Sequence, residues 1–67
     1  MITIQVNNES YTISENTSIA KLLEQLQIGT NGIAVAIDQQ IIPNTNWDVY
    51  ILQNNQNLLL IKATQGG

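Results

Sequence analysis

Apolar and polar positions alternate from the second residue. Ile2, Ile4 and Val6 fall on one side of an extended chain, Thr3 and Gln5 on the other, the pattern of a half-buried strand. "NNES" follows as a turn-forming cluster, and "YTI" resumes the alternation through Tyr11 and Ile13. These two segments predict a hairpin. The period then changes. Ile19, Leu22, Leu23 and Leu26 follow the i, i+3, i+4, i+7 spacing of one apolar helical stripe, with Lys21, Glu24, Gln25 and Gln27 opposite. A helix is predicted over 18–28, capped by the hydroxyl of Thr17 or Ser18 and ended by Gly29 in the left-handed conformation. "TNG" reads as a turn and "IAVAI" as a strand whose alanines, Ala34 and Ala36, suggest a face with little room above it, such as one under a helix. "DQQ" is another turn, and "II" opens a short strand that Pro43 ends. "NTNW" reads as a turn or a single helical turn, with Trp47 as a core anchor rather than a ligand-stacking group. "VYIL" and "NLLLIKA" predict two further strands, separated by the turn formers "QNNQN".

The order is β-β-α-β-β-(β). A helix with one apolar stripe has to lie on a sheet, and a four- or five-stranded sheet has a face for it to cover. That is the α+β solution. The rules of chain connection leave few topologies, of which the β-grasp is the familiar one. The expectation is one domain over 1–67 with a mixed sheet, one main helix on one sheet face, and a flexible tail over 64–67. Ile2, Ile4, Ile19, Leu22, Leu23, Leu26, Val35 and Leu60 are expected in the core.

Composition narrows the function. A chain of 67 residues buries only about 60% of its unfolded surface, so the core is thin. It has no cysteine and no histidine, which removes disulfides, thiolate metal sites and the commonest general base and metal ligand. A self-contained enzyme is therefore disfavoured. Lys21 and Lys62 are the basic residues, against Glu9, Glu15, Glu24, Asp38 and Asp48. So few cations argue against nucleic-acid binding. The weak acidity serves solubility, or docking on a more basic protein. No segment has the roughly 18 apolar residues needed to span a membrane, and "MITIQV" enters a strand pattern without a basic leader. The expected location is the cytoplasm, or an organelle that makes its own proteins.

The candidate chemistry lies at the end, "NLLLIKATQGG". At about 7% glycine per position, two in a row at a fixed place occur in roughly 0.5% of chains. A loose end is the plain alternative. Yet two residues without a Cβ make a thin arm with a carboxylate at its tip, suited to threading another protein's active site. A carboxylate is a poor electrophile until it becomes an acyl-adenylate, and the residues doing that would belong to the partner.

A β-grasp pattern ending in Gly-Gly resembles the ubiquitin-like superfamily. The helix "SIAKLLEQLQI", the stretch "AIDQQIIP" with Trp47 four residues on, and the terminal "GG" resemble its prokaryotic sulfur-carrier branch, the ThiS family. Asn44, after the proline, and Thr64 and Gln65, before the glycines, depart from the usual pattern at positions bearing on partner contacts. The resemblance implies that a ThiF-type adenylyltransferase activates the Gly67 carboxylate with ATP. Sulfur from a cysteine desulfurase relay then gives a thiocarboxylate, which thiazole synthase (ThiG) uses for the thiazole of thiamin. It carries over Gly66 and Gly67 as functional residues, with no bound cofactor and a free monomer. The alternatives are a MoaD-like small subunit of molybdopterin synthase, a ubiquitin-like modifier, and a plain interaction module.

In "LLLIKA", Leu58 and Leu60 share one strand face; Leu59, Ile61 and Ala63 share the other. Lys62 argues for 58-60-62 outward, whereas the resemblance, counted back from Gly-Gly, places Leu58 and Leu60 inside. On the latter basis Leu59, Ile61 and Ala63 are the expected docking patch.

Overall fold

The computed structural model describes residues 1–29 and 31–62. Five strands are found among them: β1 Ile2–Val6, β2 Glu9–Ile13, β3 Ile33–Ile37, β4 Gln40–Ile42 and β5 Asn57–Lys62. One α-helix, α1 Ile19–Gln25, lies between β2 and β3, and a single 3-10 turn spans Asn44–Asn46. The sheet order is β2-β1-β5-β3-β4. β1 and β5 are parallel and the other pairs antiparallel, so the expected mixed sheet under one main helix is what the chain forms. The helix is too short to cross a membrane, and no described helix is long and apolar enough to do so.

Both hairpins close through two-residue loops. Asn7 and Asn8 have φ of 50° and 69°, Asp38 and Gln39 of 49° and 73°. Two successive left-handed residues make a type I′ turn, whose twist matches that of the flanking strands. Asn and Asp tolerate this region better than other residues with a Cβ, which accounts for Asn7, Asn8 and Asp38; Gln39 takes it without that advantage.

The helix is anchored at each end. Ser18 Oγ accepts from the Lys21 N–H at 3.1 Å, so Ser18, rather than Thr17, is the cap. Thr17 is buried and donates instead to the Ser14 carbonyl at 2.6 Å. The N–H groups of Ile19 and Ala20 donate to the carbonyls of Tyr50 and Trp47 at 3.1 and 3.0 Å. These three donors at the helix start lack intrahelical acceptors, and all are satisfied. At the other end, the expected stop at Gly29 is corrected. Gln27 takes the left-handed conformation, with φ of 59°. Its N–H donates to Glu24 O and that of Ile28 to Leu23 O. These are the two bonds of a Schellman motif, and they fold Ile28 back onto the core. The helix stops two residues early because Ile28 has an apolar surface to reach.

The strand expected at "VYIL" is also corrected. Val49–Leu52 contains one isolated bridge, Ser18 to Ile51. Its backbone serves the helix start through Tyr50 O, and Leu52 N–H donates to Thr17 O, so no ladder is left to extend. Trp47 and Leu52 are buried, while Val49 is exposed. Trp47 is the expected core anchor; its indole N–H donates to Ile42 O at 2.9 Å in a buried setting.

The core lies between α1 and one sheet face: Ile4, Val6, Ile13, Ile19, Leu22, Leu23, Val35, Ile37, Ile42, Trp47, Leu52 and Leu58. Of the expected core residues, Ile2, Leu26 and Leu60 pack against this cluster but are only partly buried. Ala34 and Ala36 do not lie under the helix. Val35 and Ile37 take that face, so the alanines sit on the opposite one, contrary to the sequence reading. The β-branched residues hold the larger contact area, where burial stabilises most.

Candidate partner-docking face and C-terminal strand

β5 occupies the middle of the sheet although it is the last strand in sequence. Its side chains alternate as the pleat requires. Leu58 is fully buried, while Leu59 and Ile61 are 50% and 44% exposed. The assignment of Leu58 and Leu60 to the inside holds. Lys62 has the parity of the core face yet reaches solvent. It pairs with Ile33 at the sheet's end, past the reach of a helix that has stopped at Gln25.

Register places the rest of the uncovered face. Leu59 pairs with Ala36 and Ile61 with Ala34, and Ala36 also pairs with Ile41. Ile41 is 60% exposed. The small alanines thus form the floor between two ridges, Leu59 and Ile61 on β5 and Ile41 on β4. On the other half of the same face, Thr3 pairs with Thr12 and Gln5 with Ser10. The uncovered face is therefore apolar over β5-β3-β4 and polar over β1-β2. An exposed apolar patch with a polar border is the character of a partner surface. Ile41 was not among the residues expected there from the sequence. Its parity opposite Ala36 is a signal that needs the strand pairing to be read.

Ala63, Gly66 and Gly67, and the tail 64–67 as a whole, lie outside the described residues. Gly67 is five positions after Lys62 in sequence. The described residues contain no grouping of His, Cys, Asp or Glu that could hold a metal ion. What the described residues show is a central strand that reaches Lys62 with an exposed apolar ridge, Leu59 and Ile61, on one face.

A model of the ThiS family matches residues 4–67. The chain belongs to the ThiS family. It is 34% identical over 64 residues to the sulfur carrier protein ThiS of Escherichia coli K12, covering 96% of this chain and 97% of that one. Its fold is similar to the crystal structure of a thiamine biosynthesis protein, ThiS, from Geobacter metallireducens. The TM-score is 0.84 at 16% identity, over 98% of this chain and 100% of that one. The ThiS-family match runs through the terminal Gly66 and Gly67. It favours the ThiS reading over the MoaD-like and modifier alternatives. Members of this family are small carrier proteins acted on by enzymes, which fits a chain without histidine or cysteine.

Proposed function

We propose that this chain carries sulfur in thiamin biosynthesis, and that its reacting group is the Gly67 carboxylate. The observation that carries the reading is the ThiS-family match over 4–67, which takes in the terminal Gly-Gly. A carboxylate oxygen of Gly67 attacks the α-phosphorus of ATP on a ThiF-type adenylyltransferase, and pyrophosphate leaves. The terminal sulfur of a persulfide from a cysteine desulfurase relay then attacks the acyl carbon and displaces AMP, giving an acyl disulfide. A thiol attacks the relay cysteine's sulfur of that disulfide, releasing the thiocarboxylate and leaving a disulfide between the two thiols. Thiazole synthase takes that sulfur into the thiazole ring. The partners bind and orient ATP; the carrier contributes its terminus and the face bearing Leu59, Ile61 and Ile41. Dependence on ATP and a cysteine desulfurase fits a cytoplasmic site of action.

The test is a chain lacking Gly67 and a chain extended beyond it, each incubated with the adenylyltransferase, ATP and a sulfur source. Intact-mass spectra should show one oxygen exchanged for sulfur in the unaltered chain and in neither variant. One residue of extended chain is about 3.3–3.6 Å, and a displacement of about 1 Å can cost roughly a hundredfold in a positioned reaction. Extension also turns the reacting carboxylate into a peptide bond. The core lies within 4–58, so melting temperatures should stay unchanged. Normal conversion of the chain lacking Gly67 refutes the reading.

A further inference from the structure

β5 is bonded unequally along its two edges. On the β3 side the ladder runs to Ile33 opposite Lys62. On the β1 side it stops much earlier, at Val6 opposite Leu58, because the chain turns away at Asn7 and Asn8. Asn7 N–H donates to Leu58 O at 3.0 Å as the last backbone bond on this side. Were β1 to continue, the next two bonds would join a carbonyl to Leu60 N–H and an N–H to Leu60 O. The Asn7 side chain supplies both. Leu60 N–H donates to Asn7 Oδ1 at 2.8 Å, and Asn7 Nδ2 donates to Leu60 O at 3.4 Å. The carboxamide stands in for a peptide group, extending the parallel ladder after the backbone has left it.

We infer that Asn7 is a positioning residue for the C-terminal strand, holding the Leu60–Lys62 end of β5 in the sheet so that a partner meets it already ordered. The inference rests on the carrier reading above. Leu60 is followed by two described residues and then by the segment that ends at Gly67. A β5 held on both edges keeps Leu60 in register up to the last described residues. A β5 held on one edge frays and must be ordered when the partner binds. A binding-competent form populated only in part raises the apparent dissociation constant in inverse proportion to its population. The effect therefore falls on KM for the carrier, with kcat unchanged once the partner has clamped the strand.

The position permits a clean variant. Asn7 already has φ of 50°, so Asn7→Gly removes the carboxamide while keeping a residue at ease in the turn. Asn7→Asp keeps the acceptor for Leu60 N–H and serves as the conservative replacement. Hydrogen exchange of the Leu60 amide is measured in all three proteins, alongside steady-state thiocarboxylate formation with the adenylyltransferase, ATP and a sulfur source. In Asn7→Gly, Leu60 exchange should quicken about two- to twelvefold, the worth of the short Leu60 N–H to Asn7 Oδ1 bond, and KM for the carrier should rise by up to that factor. Its kcat should hold, and Asn7→Asp should recover most of the Leu60 protection. Leu60 exchange unchanged in Asn7→Gly, or faster exchange with KM unaltered, overturns the proposal. If the unaltered chain itself gains no sulfur, the carrier reading fails, and Leu60 exchange still reports separately on the Asn7 bracket.

Discussion

Leu58 and Leu59 are neighbours in sequence with opposite environments, so truncating each to alanine tests the assignment of strand faces. Both substitutions remove the same three carbons. Leu58 is fully buried among α1, β1 and β3 residues. Its truncation loses the full transfer term and leaves a cavity, about 2–5 kcal/mol in all. A domain this size has only about 3–10 kcal/mol to lose. At about 4–8 °C per kcal/mol, a loss near the middle of that range lowers the melting temperature by roughly 15–25 °C. Leu59 is half exposed. Its folded state gains about half of the 1.5–3 kcal/mol assigned to full burial, so truncation costs about 1 kcal/mol and roughly 5 °C. Circular dichroism melts of the two variants give both numbers. Titration calorimetry with the adenylyltransferase, below both transitions, should reverse the order. Leu59→Ala should weaken binding about tenfold as a central contact of the apolar ridge, and Leu58→Ala should leave it within about twofold. Equal losses of stability, or a larger loss for Leu59→Ala, refute the face assignment and with it the docking surface.

Two further substitutions probe the supports of that surface. Trp47→Phe deletes the buried donor to Ile42 O and should cost about 2 kcal/mol, seen as a fall of roughly 10 °C in melting temperature; an unchanged melt would mean that the bond is replaced by water. Gln27→Gly relieves the left-handed conformation at the helix end and should raise stability by about 0.5–1 kcal/mol in urea unfolding; a loss would show that the Gln27 side chain contributes more than its backbone strain.

Much of this arrangement is legible in the residues. The periods of Ile2–Val6 and of Ile19–Leu26 identify a strand and a helix, and Asn7, Asn8 and Asp38 mark turns whose left-handed geometry favours such residues. What was not legible depends on partners distant in sequence. "VYIL" has a strand's composition, but its Tyr50 carbonyl meets the Ile19 N–H at the α1 N-terminus and its Leu52 N–H the Thr17 carbonyl, and no local pattern carries that information. Gly29 is the better residue for a left-handed stop, yet Gln27 takes it because Ile28 then reaches the core. Ala34 and Ala36 look made for a crowded face; their small size instead shapes the floor between Leu59, Ile61 and Ile41. Which face of β5 turns inward was half legible. Parity in "LLLIKA" offered two answers, and Lys62 pointed to the wrong one, since a strand end beyond the helix admits a charge on the core side. Resemblance to a family chose correctly where local chemistry did not.

The central place of β5 has a consequence for how the molecule is made. Remove that strand and the sheet separates into two hairpins, β2-β1 and β3-β4, that share no ladder. A two-stranded hairpin alone is marginal in water. During synthesis the ribosome releases both hairpins and the helix before the strand that joins them. The nascent chain therefore gains its cooperative structure late, when residues near 58 emerge and close contacts with β1 more than 50 positions earlier (Val6 to Leu58). Such long closures are slow relative to local ones. A chain broken off before β5 has no joined sheet and no Leu59–Ile61 ridge, so on the function proposed above an unfinished copy offers the partner enzymes neither a docking face nor the reacting carboxylate.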